Sequence, residues 1–125
     1  MEIAEFKSGQ PIYRQIVTAA CSNILSGAWA DGAKIPSARE LAVDLAVNTR
    51  TVLKATDYLQ EQGIIYPKRG MGYYTVDNAR QKVYELLRRE FFSETVPQIA
   101  GRIRELGISP DDLAEYLKKY QEDHP

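Results

Sequence analysis

The chain has 125 residues, 44% of them hydrophobic and 26% charged, which suits one ordinary domain or a small domain with an appended oligomerisation element. A net charge of −1 excludes the strongly basic overall field of many polyanion binders, so any such contact has to rest on a local patch. Cys21 is the sole cysteine. That excludes an intrachain disulfide, and its place in an amphipathic pattern predicts a small buried apolar residue.

Glu2 and Glu5 stand among the first residues, with no basic segment followed by an apolar run, so the start does not resemble a signal peptide. No stretch approaches the roughly 20 apolar residues of a membrane span. A cytoplasmic protein without membrane contact is expected. The charge is uneven: residues 1 to 76 carry eight Lys/Arg against seven Asp/Glu, and residues 77 to 125 carry eight against ten.

Pro11 suits a first helical position, and Ile12, Ile16, Ala20 and Ile24 follow at spacing four, with Tyr13, Val17 and Leu25 on the adjoining stripe. Gly27 supplies a stop. The next residues, 28 to 34, read as a turn from which Trp29 folds back onto the core. Ser37 and Glu40 form a capping box for a second helix through Arg39, Leu41, Ala42 and Leu45. Asn48 caps a third, in which Val52, Ala55 and Leu59 face the core and Gly63 closes.

Ile64, Ile65 and Tyr66 make a short strand, residues 67 to 72 a turn, and Tyr73 to Val76 a second strand, together a hairpin. From Asn78 the pattern is helical again, with Val83, Leu86, Leu87 and Phe91 on one side. Pro97 interrupts it. An apolar stripe of Val96, Ile99, Ala100, Ile103 and Leu106 continues to Gly107. A last helix starts on Ser109, Pro110, Asp111 and Asp112, has Leu113, Tyr116, Leu117 and Tyr120 as its apolar face, and ends in a frayed tail from Gln121.

The fold class is therefore mainly α with a small β-hairpin: a winged helix-turn-helix over residues 9 to 76, then a helical segment over 77 to 121. In a helix-turn-helix the second helix of the pair puts its N-terminal turn into the major groove of DNA. Asn48, Thr49, Arg50, Thr51 and Lys54 open that helix here, while Asp57 and Glu61 lie at its far end. Arg50 can bond guanine bidentately or reach a phosphate. Leu53 is expected to pack against the hairpin rather than touch thymine methyl groups. Lys34, Ser37 and Arg39 flank the start of the second helix, a phosphate-binding arrangement. Lys68, Arg69 and Gly70 form the wing tip, Gly70 leaving the backbone bare for a minor groove.

The motifs PIYRQI at 11 to 16, IPSARELA, AVNTRTV, LQEQGII and RGMGYY resemble the DNA-binding domain of the GntR family of bacterial transcription regulators over residues 9 to 76. The short tail is similar to that of the YtrA-type branch, which ends in a small helical dimerisation segment. The resemblance implies DNA contacts by Arg39, by the polar residues opening the third helix and by Gly70. Many family members have an arginine where this chain has Thr49; its arginine follows at Arg50, turned by about 100° around the helix. Base and phosphate roles for Arg50 both stay open.

Leu87, Phe91, Phe92, Val96, Ile99, Ile103, Leu106, Leu113, Tyr116, Leu117 and Tyr120 are too many apolar side chains for so short a tail to cover by itself. They predict a homodimer. Expected partners are thus a double-stranded DNA operator, an inverted repeat, and a second copy; the resemblance implies that the regulator is a repressor. An unidentified small-molecule effector between the tail helices is a weaker third reading, and a winged-helix protein-interaction module is the alternative function. No enzyme, metal or cofactor is expected: His124 is the sole histidine, and RGMGYY is not followed by the helix and Lys of a phosphate loop.

Overall fold

Pro11, with φ −56° and no N–H to leave unpaired, sits just before α1 (Ile12–Ser26) in the computed structural model, which describes residues 10–125. Glu2, Glu5 and Gly9, on which the reading of the N-terminus and the start of the winged segment partly rest, lie outside the described residues. Ile16, Ala20 and Ile24 bury at the predicted spacing of four, but Ile12, expected on the same stripe, stays 45% exposed at the first turn. Gly27 ends α1 with φ +86°, a left-handed conformation that costs glycine nothing and lets its N–H reach the Ile24 carbonyl at 3.2 Å.

The predicted capping box opens α2 (Ala38–Leu45): Ser37 Oγ accepts from the Glu40 N–H at 3.1 Å, and the Ser37 N–H donates to Glu40 Oε1 at 3.3 Å. Ala46 then turns the chain at φ +53°, and the Val47 N–H closes back on the Ala42 carbonyl at 3.0 Å. A left-handed alanine costs about 1–2 kcal/mol. The closing bond and the start of the next helix three residues later hold it there. That next helix is α3 (Thr49–Glu61), capped by Asn48 Oδ1, which accepts from the Arg50 N–H at 2.8 Å. Val52, Ala55 and Leu59 bury on the side of α3 that packs against α1 and α2. Each such Val or Leu contributes about 1.5–3 kcal/mol.

β1 (Ile65–Lys68) and β2 (Gly72–Thr75) pair antiparallel, with Ile65 opposite Thr75 and Lys68 opposite Gly72. The other edge of β2 is taken by the segment before α2: the Thr75 N–H donates to the Ala33 carbonyl at 2.9 Å, the Ile35 N–H to the Tyr73 carbonyl at 3.0 Å, and Lys34 faces Tyr74. β2 is therefore central and β1 an edge. This is why Pro67, expected in the turn, is accommodated inside β1, where a missing N–H breaks no ladder. The turn shrinks to residues 69 to 71, closed by the Met71 N–H on the Lys68 carbonyl at 2.9 Å.

Thr75 is fully buried, and its hydroxyl donates to the Ala30 carbonyl at 2.7 Å while accepting from the Ala33 N–H at 3.0 Å. It ties the turn carrying Trp29, buried as expected, to the sheet. Asp31 in that turn caps α4 (Ala79–Glu90), accepting from the Arg80 N–H at 3.0 Å. Ala79, Val83 and Leu86 of α4 join the core built by α1, α2, α3 and the hairpin. The chain accordingly divides into compact units at Leu86, beyond the end of the strand pattern at 76.

In the second unit, from Leu87 onward, a π-helical turn spans Phe91–Thr95 before α5 (Val96–Glu105). A proline lacks an N–H and crowds the carbonyl four residues back. The wide turn just before Pro97, closed by the Val96 N–H on the Phe91 carbonyl, absorbs that defect without ending the helical path. α6 (Pro110–Asp123) begins as predicted, with Ser109 Oγ accepting from the Asp112 N–H at 3.1 Å. Its end is not frayed from Gln121: it is helical to Asp123, and the His124 ring stacks on Tyr120 with centroids 4.2 Å apart. Among the described residues no helix is long and apolar enough to cross a membrane.

Candidate nucleic-acid interface

The helical part of the site follows from the two caps. Ser37 and Asn48 each accept a backbone N–H with the side-chain oxygen, so each fixes the first turn of its helix and still has donor hydrogens for an outside acceptor. Arg39 at the start of α2 and Thr49 and Arg50 at the start of α3 stand exposed, with Thr51 half-buried beside them. The free N–H groups of both first turns add a partial positive charge that favours phosphate.

Lys54 is exposed too, yet its Nζ lies 4.3 Å from the centre of the Tyr13 ring on α1. A cation–π contact of about 0.5–1 kcal/mol draws it towards that side. It therefore stands at the α1 margin of the helical group. Leu53, expected to pack against the hairpin, is 42% exposed.

The wing supplies a second group. Residues paired across strands project to the same face, which puts Lys34, Tyr74 and Tyr66 on one side of the sheet together with Lys68 and Gly72. Lys68 Nζ lies 4.0 Å from the Tyr74 ring centre, and the Tyr66 and Tyr74 rings are 6.2 Å apart. The Lys34 side chain runs past Gly72, its Cε 3.5 Å from where a Cβ would stand. Arg69 and Gly70 form the exposed tip. Gly70 has φ +73° with open space around it, so it is needed for the turn and leaves the tip backbone bare. Among the described residues, none of Lys34, Arg39, Arg50, Lys54, Lys68 and Arg69 is held in an ion pair, leaving six cations to attract a polyanion despite the acidic pI.

The tyrosine pair under Lys68 escaped the sequence reading, although the two-residue period of a strand already puts Tyr66 and Lys68 on one face. Of the tail residues, Val96, Ile99, Ile103 and Leu113 are half-buried. Leu87, Phe91, Phe92, Leu106, Tyr116, Leu117 and Tyr120 are exposed. No residue from Leu87 to Pro125 is buried.

Comparisons with known proteins converge. Residues 12–74 match the model of "Bacterial regulatory proteins, gntR family". The HTH-type transcriptional repressor YtrA of Bacillus subtilis is 33% identical over 94% of this chain and 89% of its own length. A crystal structure of a transcriptional regulator assigned to the GntR family, from Bacteroides thetaiotaomicron, superposes with a TM-score of 0.77 at 32% identity, covering 91% of this chain and 99% of the other. AraR(DBD) in complex with an operator superposes with a TM-score of 0.53 at 28% identity, covering 61% of this chain and 92% of the other.

Proposed function

The chain belongs to the GntR family of bacterial regulatory proteins, and we propose that this DNA-binding transcription regulator is a repressor that holds an inverted-repeat operator as a homodimer. In this reading the first turn of α3 enters the major groove, and the wing tip at Arg69 and Gly70 reaches the adjacent minor groove. Arg39 and the caps of α2 and α3 grip the phosphates between them. The residues before position 77 form the DNA-binding part, with Ala79, Val83 and Leu86 of α4 packed into its core, and the residues from Leu87 onward form the dimerisation segment.

The observation that carries the reading is the set of six exposed, unpaired cations on the helix starts and the wing of one small unit. Their number sets a scale: five or six phosphate contacts per unit give a slope of log K against log salt of about −5. The repressor role is supported by the relative from Bacillus subtilis, which is named a transcriptional repressor, and operator binding by AraR(DBD), whose structure holds an operator. The homodimer is supported by the tail, where apolar side chains stay exposed in the single chain.

DNase footprinting on the DNA upstream of the protein's own gene tests the proposal. A protected inverted repeat, lost with Arg39→Ala and Arg50→Ala, is expected; the absence of protection at low salt sinks it. Transcription from that promoter should rise when the protein is removed, and a fall would make it an activator.

A further inference from the structure

We propose that Leu53 reads thymine by packing against its 5-methyl group in the major groove. This rests on the placement of α3 proposed above and assigns it a specificity residue that carries no charge and makes no hydrogen bond. Leu53 is 42% exposed although its neighbour Val52 is wholly buried, and it is not among the apolar residues packed on the core. The core side of α3 is taken by Val52, Ala55, Thr56 and Leu59.

At 3.6 residues per turn Leu53 stands one turn beyond Thr49 and Arg50, within about 40° and 60° of them around the helix axis. Its neighbours one turn away on that outer surface, Thr49, Arg50 and Asp57, are polar or charged, so they offer a leucine no apolar surface. DNA does. Among the groups displayed on base edges in the major groove, the thymine methyl is the apolar one, and apolar side chains are its natural contact. Thr49 or Arg50 on a phosphate or a guanine would hold the helix so that Leu53, one turn further in, meets the adjoining base pair.

The test removes single methyl groups from the DNA. Duplexes that bind the full-length protein are first selected from random sequence, and each thymine of the selected site is then replaced in turn by deoxyuridine, which keeps every hydrogen-bonding group. Wild-type protein should lose about fourfold in affinity per contacted methyl at one or two thymines in each half-site. Leu53→Ala should bind the thymine and uracil duplexes equally, with an unchanged melting temperature because the side chain is outside the core.

Insensitivity of the wild-type protein to every uracil overturns the proposal, as does a uracil penalty that Leu53→Ala retains in full. A large fall in melting temperature for Leu53→Ala overturns it too, since Leu53 would then be packing against the protein. Failure to select any duplex appears before a methyl is removed and strikes instead at operator binding itself.

Discussion

The unit ending at Leu86 buries Ile16, Ile24, Leu41, Val52, Leu59 and Val83 within a single chain, whereas from Leu87 onward Phe91, Phe92, Leu106, Tyr116, Leu117 and Tyr120 stay exposed. Both stretches have well-formed helix starts: a capping box on Ser37 in one and a Ser109 cap with Pro110 in the other. Local signals are thus equally good in the two, and only burial separates them. Caps and propensity determine where helices begin, but helices of 10 to 14 residues are marginal in water without tertiary packing. The first unit has that packing within itself; in the proposed homodimer the second would obtain it by association.

Core truncation gives the largest expected contrast. Leu59→Ala should cost about 2–5 kcal/mol in urea unfolding, while Tyr116→Ala should change the stability of dilute, monomeric protein by less than about 0.5 kcal/mol. Equal losses would erase the distinction between the units. Next comes Leu117→Glu, which puts a charge on the exposed face of α6. Sedimentation should then report a monomer with near-wild-type circular dichroism, and operator affinity should drop about a hundredfold through lost avidity.

Arg50→Ala should leave the dimer intact and weaken operator binding about tenfold. If Arg50 holds a phosphate, the salt slope becomes shallower by about 1; if it reads guanine, the loss is confined to one base-pair position. The smallest effect sharpens the first unit alone. Ala46→Gly removes the cost of a left-handed alanine but adds chain entropy to the unfolded state, so thermal unfolding should show a gain of about 0.5 kcal/mol.

Much of the first unit was legible because its signals are short-range. The Ser37–Glu40 and Asn48 caps, the spacing of Val52, Ala55 and Leu59, and the turn glycines all act within a few residues, and each is found where it was expected. What was missed depends on partners distant in sequence. Pro67 belongs to β1 only because the segment around Lys34 makes β2 central, and Thr75 acts on Ala30 and Ala33 across more than forty residues. The period around α3 puts Leu53 off the core stripe, but does not tell how much of it stays exposed. In the tail, Pro97 predicts an interruption, and the π turn that absorbs it has no sequence signal as plain as a cap.

One strand pairing has a mechanical consequence. Lys34 is bridged to Tyr74 of the wing, and Ser37, three positions later, is the cap of α2. So short a tether lets the wing and the helical reader hardly swing independently; they behave as the two jaws of a caliper with a nearly fixed gap. In the proposed complex a duplex would have to bring its grooves to that gap, and steps that bend or narrow easily would bind at less deformation cost than stiff ones. Some of the operator's sequence preference would then lie in base pairs that no side chain touches.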